Sequence, residues 1–351
     1  MTEGQETDEF WQLALKGNDD KKTNSDGDDD NDDELTEERS QDRNDGLNED
    51  EDQSIPPITY EIKLQPEDQI DQFEAVTFQL TSMPLTDGIF SPLGAQLWYG
   101  QALLAAMLLR PSYPPLKEAL TSILLTTNNT DRENVQASTA LELGSGACGL
   151  AGLVLSWLLA NNNSSTGKTK RPSHIILTDN EQPVLKQLRR NITINLNRLQ
   201  NSYPKKDFPT VTVAPLEWND GVTTIQAFID APSNNPSENL KLIFGSELVY
   251  TESTATACAN IVTSMLERYP KALVLIVQVS DRSGWNDVFL PTVTENQNLQ
   301  VLSQDVVADA DLHELASSLL RHGGTLDRFD FGVVYITSAQ RSSSHSKPAF
   351  I

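Results

Sequence analysis

The residues that could do chemistry gather at a few points of the chain. The run Leu141-Glu142-Leu143-Gly144-Ser145-Gly146-Ala147-Cys148-Gly149 carries glycines at G-x-G-x-x-G spacing. In such a run Gly144 permits a tight turn, Gly146 lets a ligand approach the backbone, and Gly149 lets a helix pack closely on a strand. Spacing alone fits a loop that cradles a nucleotide cofactor, a nicotinamide dinucleotide included. Glu142, two residues ahead of the first glycine, repels a pyrophosphate and attracts a ligand that carries an ammonium or a sulfonium. Asp179, 30 residues past Gly149, ends a later apolar run, where a carboxylate can accept both ribose hydroxyls or cap a helix. Leu216-Glu217-Trp218 and Ser246-Glu247-Leu248-Val249-Tyr250 close two further apolar runs. Glu247, three residues before Tyr250, sets a carboxylate and an aromatic ring around one small opening. That pair suits a lysine ammonium through charge pairing and cation–π attraction, although Glu247 could equally start the following helix.

These points need elements to hold them. Alternating apolar positions at Thr59–Leu64 and Phe73–Leu80 predict half-buried strands, so residues 55–95 form an N-terminal β extension. Leu97–Leu109 has helical spacing. Beyond it the pattern repeats: strand Thr139–Leu143, helix Gly149–Ala160, strand His174–Thr178, then a helix with Leu185, Leu188, Ile192, Leu196 and Leu199 on one face. Strands at Val211–Ala214 and Leu240–Phe244, a helix at Thr254–Tyr269, and strands at Ala272–Val277, Leu299–Val307 and Phe331–Thr337 complete it. Strands alternating with helices imply right-handed crossovers and a doubly wound parallel sheet, an α/β fold. Every point singled out above then lies at the carboxyl end of a strand, where open α/β sheets bind ligands.

Charge divides the chain differently. Of the 351 residues, positions 1–54 hold 21 Asp and Glu against 5 Lys and Arg, a net −16, and the other 297 carry only −8. With no Val or Ile, residues 1–54 cannot bury enough surface to offset their ordering entropy, and they read as a disordered acidic tail; residues 341–351 read as a frayed C-terminus. No large basic cluster is present to displace counterions from a nucleic acid, and no apolar run approaches the ~18 residues of a membrane span. Two cysteines, Cys148 and Cys258, and no secretory leader point to a reducing compartment: the cytoplasm, or cytoplasm and nucleus. The four histidines lack paired metal-ligand spacing, so no metal is expected. Thr166-Gly167-Lys168-Thr169 mimics the end of a phosphate loop but has Asn162 where its first glycine belongs.

Taken together, Gln96-Leu97-Trp98, the glycine loop from Glu142, Leu177-Thr178-Asp179, Leu216-Glu217-Trp218 and Ser246-Glu247-Leu248-Val249-Tyr250 resemble the seven-β-strand protein-lysine methyltransferases of the methyltransferase-16 family. The resemblance runs in order from about Leu80 to Thr337. It implies a Rossmann-like seven-stranded sheet, mostly parallel with an antiparallel last strand, over a methyltransferase domain at residues 96–340. It further implies S-adenosylmethionine as cofactor: the methionine part along Gly144, Ser145 and Gly146, its amine near Glu142, the ribose on Asp179, Trp218 beside the adenine, and Trp98 lining the site. Ser246 matches a small residue whose backbone faces the methionine end, and Glu247 and Tyr250 match the acceptor loop. The implied activity is methyl transfer to a lysine of a protein substrate by a monomer that contacts neither nucleic acid nor membrane. The family usually carries Asp-x-x-Tyr or Asp-x-x-Phe in that loop, and Glu247 adds a methylene there. Histidine-modifying members look alike at this position, so a histidine or small-amine acceptor stays open, as does an inactive interaction module with an acidic tail.

Overall fold

The structure is a computed structural model that describes residues 59–64, 76–83, 94–124, 138–162, 173–220, 223–230, 239–320 and 330–339. The acidic tail at 1–54, the C-terminus at 341–351 and the phosphate-loop-like stretch lie outside these residues. The chain divides into two compact units. One, residues 1–57 with 84–92, also lies outside the described residues; everything below concerns the other, residues 58–83 with 93–351.

Two short strands, β1 (Thr59–Leu64) and β2 (Val76–Thr81), pair antiparallel with Tyr60 opposite Leu80 and Ile62 opposite Phe78. Two helices follow, α1 (Tyr99–Leu109) and α2 (Pro114–Leu124). Then come β3 (Thr139–Leu143), α3 (Leu150–Asn162), β4 (His174–Asp179), α4 (Gln182–Ser202), β5 (Thr210–Pro215), α5 (Thr223–Asp230), β6 (Leu240–Ser246), α6 (Glu252–Arg268), β7 (Leu273–Val279), α7 (Leu290–Glu295), β8 (Leu299–Val306), α8 (Ala310–Leu320) and β9 (Phe331–Ser338). The seven strands β3–β9 form one sheet in the order β5-β4-β3-β6-β7-β9-β8. Neighbours from β5 to β7 run parallel, and the last strand, β9, runs antiparallel to both β7 and β8. The fold class expected from the sequence is the one observed.

Side-chain alternation gives the sheet two buried faces. Ala140, Leu177, Phe244 and Leu275 pack on one face with α1 to α4 and α8, while Leu141, Ile176, Ile243 and Val274 pack on the other with α5 to α7. The mostly apolar sequences of β3, β4, β6, β7 and β9 follow from this double cover. Strand order reverses at β3, between β4 on one side and β6 on the other. There the crossovers α3 and α4 cover one face and α5 and α6 the opposite face, the arrangement at whose strand ends open α/β sheets bind ligands. Helix α1 is buried around nearly its whole circumference, consistent with its almost uniformly apolar sequence.

The small β1–β2 sheet is tied to the main body by asparagines. On α4, Asn195 accepts the Gln79 amide (2.8 Å) and donates to the Gln79 carbonyl (2.7 Å). One turn earlier, Asn191 does the same for Thr81, at 3.0 and 2.9 Å. A helix rises about 6 Å over four residues and a strand about 6.6 Å over two, so the two amides stand in register with alternate residues of β2 and act as its missing neighbouring strand. Asn191 also donates to the Ala147 carbonyl (2.8 Å), linking the hairpin to the glycine loop.

The helices α2, α5 and α8, and the segment from Trp285 through α7, have no counterpart in the sequence reading. Segment 285–295 opens as a π-turn behind the left-handed Gly284 (φ 82) before Pro291 continues it as α7.

Candidate active site

The glycine loop joins β3 to α3, and Gly144, Gly146 and Gly149 all adopt left-handed backbone (φ 59, 60 and 59). Any side chain on Gly144 would place Cβ 2.8 Å from Leu248 Cδ2 and 3.9 Å from Trp218 Cζ2, and one on Gly146 would meet the Gly94 carbonyl at 3.0 Å. The loop is pinned from several sides. Ser145 N–H donates to the Thr178 carbonyl (2.7 Å) and Ala147 N–H to the Gly94 carbonyl (2.7 Å). Gly146 N–H donates to Asp179 Oδ2 (3.2 Å), and Gln101 Nε2 on α1 donates to the Ser145 carbonyl (2.6 Å). Gly149 faces α4: its nearest neighbours are Leu188 and Ile192 of α4, with Leu177 of β4 behind them, so its packing partner is chiefly a helix.

Asp179 ends β4 beside this loop. Its Oδ1 accepts the amides of Asn180 (2.9 Å) and Glu181 (3.2 Å). Burial raises its pKa, and the amides of Glu181, Gly146 and Asn180 draw it back. The N-cap of α4 is Glu181, not Asp179, so the capping alternative does not hold. Trp218 opens a single 3-10 turn beyond β5, half-buried, with its Cζ2 3.9 Å from where a Cβ on Gly144 would stand. Trp98 is the N-cap of α1 and its carbonyl accepts from Gln101 and Ala102. Trp98, Glu142, the loop, Asp179, Trp218 and Ser246 thus lie at the same end of the sheet.

Glu142 and Ser246 sit on β3 and β6, neighbouring strands, and share the sheet face of Ala140 and Phe244 because side chains alternate. Glu142 is 1 % exposed. Burial pushes its pKa up to about 8, against a smaller opposing pull from the Ser145 hydroxyl and the Gly152 amide. The Ser145 hydroxyl is near enough to act on that charge, yet neither Glu142 Oε2 nor Ser145 Oγ has a protein hydrogen-bond partner of good geometry, and Ser246 Oγ has none either. Buried polar atoms are ordinarily paired. Three without protein partners beside a glycine loop make a donor–acceptor set suited to an amine-bearing ligand, so these residues fit the methionine end of S-adenosylmethionine. Cys148, within the loop, is buried, and burial pushes its thiol up to about 12, which leaves no reactive thiolate.

The loop that follows β6 holds the least expected geometry. Among the described residues Glu247 alone combines a side chain with left-handed backbone (φ 50). Its amide donates to the Val277 carbonyl (2.8 Å), and its Oε1 accepts the Gly100 amide (2.8 Å) at the start of α1. Glu247 therefore caps a helix, but the helix is α1, 147 residues earlier. Helix α6, which follows it, has its own capping box of Thr251 and Thr254. A Cβ on Gly100 would fall 2.5 Å from Glu247 Oε1, so only glycine admits this carboxylate. Burial raises the Glu247 pKa, partly offset by the Gly100 amide and the Arg282 charge. Tyr250 is half-buried, its hydroxyl pKa raised by burial and by Glu247, and the Arg282 guanidinium lies 5.6 Å from its ring. Gln278, fully buried in β7, grips Val249 with both ends of its amide (2.9 and 3.0 Å) and fixes the loop.

Gln101, Gln278 and Arg282 were not singled out in the sequence. Gln101 and Gln278 did carry a signal, as lone polar residues inside apolar runs at core positions. Arg282 carried none.

A profile of the lysine methyltransferase family matches residues 91–296, more than half of the chain. Solved structures with a similar chain path include a loganic acid methyltransferase with SAH (8 % identity, 68 % of this chain and 94 % of that one, TM-score 0.38). An O-methyltransferase from Bacillus cereus in complex with SAH is 12 % identical over 70 % of this chain and 84 % of that one (TM-score 0.37). The SAH-bound methyltransferase PaMTH1 of Podospora anserina is 13 % identical over 68 % and 87 % (TM-score 0.34). A search of curated proteins returns no match. With the glycine loop, its neighbouring carboxylates and the family profile in agreement over one sheet, this chain belongs to the lysine methyltransferase family and is a methyltransferase with S-adenosylmethionine as its cofactor.

Proposed function

We propose that the protein methylates a lysine side chain of a protein substrate, acting as a monomer in the cytoplasm. The observation that carries this reading is the Glu247–Tyr250 loop, where a buried carboxylate locked by the Gly100 amide stands near a half-exposed aromatic ring. We assign Gly144, Ser145, Gly146 and Glu142 to the methionine end of the cofactor, Asp179 to its ribose, Trp218 to its adenine, and Trp98 and Ser246 to the walls of the site; Gly149 supports the loop from behind. S-adenosylmethionine supplies a methyl group made electrophilic by a sulfonium that leaves as a neutral thioether. The protein's part is to hold a neutral amine in line with that carbon.

A lysine at pH 7 is almost wholly protonated, so its ammonium must be drawn in and must lose a proton. In this reading Glu247 provides the attracting charge and Tyr250 the ring face. Because its pKa is raised by burial, Glu247 accepts a proton more readily than an exposed glutamate does. Arg282, beside Tyr250, favours the neutral amine over the ammonium once the acceptor is seated. The same guanidinium gives a second reading some support, in which the acceptor is a histidine imidazole that is mostly neutral at pH 7. Transfer of a labelled methyl group into a protein extract, followed by acid hydrolysis and amino-acid analysis, separates the two. Label in methyl-lysine is expected; label in methyl-histidine replaces lysine by histidine, and label confined to small molecules refutes a protein substrate.

A further inference from the structure

Besides Tyr99, whose hydroxyl bonds His313, Gln101 is the one polar side chain in the buried run of α1, and it is 4 % exposed. Its Nε2 is committed to the Ser145 carbonyl at 2.6 Å and lies 3.2 Å from where a Cβ on Gly146 would stand. The other half of the same amide, Oε1, is buried with no protein partner. One end of the group is therefore fixed on the glycine loop while the other offers a desolvated acceptor. Leaving such an acceptor unmet is costly, and a helix that is otherwise apolar gains nothing from carrying it.

An acceptor calls for a donor. S-adenosylmethionine offers three kinds: the ribose hydroxyls, the adenine amino group and the methionyl ammonium. In the assignment above Asp179, at the end of β4, accepts from the ribose hydroxyls, and Trp218, beyond β5, flanks the adenine ring and so sets the adenine end of the ligand on the β5 side of the site. Gln101 instead reaches the loop from α1, on the sheet face that also carries Glu142 and Ser246. The geometry points to Gln101 as a binding residue for the methionyl ammonium, its Oε1 joining Glu142 Oε2 around that cation. An ammonium brings three donors, enough for both acceptors. Gln101 would thus measure the amino-acid end of the ligand, and it does so whatever the methyl acceptor is.

The test is calorimetric binding of S-adenosylhomocysteine, which keeps the amino acid, and of 5′-methylthioadenosine, which lacks it, to wild type, Gln101→Met and Gln101→Glu. Gln101→Met should weaken S-adenosylhomocysteine about tenfold or more, as expected for a hydrogen bond to a charged group, and leave methylthioadenosine within about twofold. Gln101→Glu, which keeps an acceptor but loses the donor to Ser145, should recover part of that loss. Equal weakening of both ligands in both variants would make Gln101 only a support for the loop and overturn the inference. So would unchanged binding. Failure of the wild type to bind S-adenosylhomocysteine would overturn the cofactor itself, a result separable from the behaviour of the variants.

Discussion

Adding one methyl group at Gly100 tests the contact between α1 and the acceptor loop. In Gly100→Ala the new Cβ would lie 2.5 Å from Glu247 Oε1 and 2.7 Å from its Cγ, so the carboxylate must move. Its hydrogen bond from the Gly100 amide, 2.8 Å long and made to a charged acceptor, is worth about 1.5–3 kcal/mol. Pushing the side chain off its rotamer adds about 0.5–1.5 kcal/mol. Alanine returns about 0.5–1 kcal/mol relative to glycine in a helix. The net loss is then about 1–4 kcal/mol, a fall in Tm of several degrees at roughly 2–4 °C per kcal/mol for a domain of this size. In a Glu247→Ala background neither the clash nor the bond exists. There the same substitution should be neutral or raise Tm slightly, a change of sign read from thermal melts of the four proteins in the cycle. Equal destabilisation in both backgrounds would refute the contact.

Glu142 and Asn191 give two further tests. The Glu142 carboxyl, with an ordinary value of 4.5, is held at about 8 by burial in the cofactor-free protein, so without cofactor the unfolded chain ionises it between those values while the folded chain keeps it protonated. Stability should therefore fall as pH rises from about 4.5 to 8, and Glu142→Gln should flatten that slope in denaturant titrations run across the range. Asn191→Leu strands the amide of Thr81 and the carbonyl of Ala147, while the Thr81 carbonyl keeps its bond from Gln187 Nε2 (3.0 Å). At about 1–3 kcal/mol for each buried group left unpaired, partly relieved by relaxation, it should cost at least about 2 kcal/mol of stability and raise hydrogen exchange at Thr81.

Strands β3, β4, β6, β7 and β9 were legible because they are covered on both faces, so each appears as a short, mostly apolar block between polar loops. Thr139–Leu143 was read with the bounds observed. Helices that lie at the margins were not. Helix α2 begins at Pro114, with a second proline behind it, and prolines that break helices elsewhere are tolerated in a first turn. Of the site, the residues bound to a local motif were visible, because a glycine loop and a carboxylate at a strand end keep their spacing in the sequence. Gly100 with Glu247 and Gln278 with Val249 are pairs made only by folding, 147 and 29 residues apart, and nothing local announces them. The alternative that Glu247 starts the following helix does not hold, since the helix it caps is α1, which only the fold brings beside the end of β6.

The account rests on Glu247 acting on the methyl acceptor and not on the cofactor. Glu247→Gln keeps an oxygen for the Gly100 amide and removes only the charge. Measured side by side, the affinity of this variant for S-adenosylmethionine should stay within about twofold of wild type, while the rate of methyl-lysine formation should fall about a hundredfold or more, as loss of a group acting on the proton predicts. A parallel collapse of cofactor affinity, or methyl transfer at the wild-type rate, would contradict it.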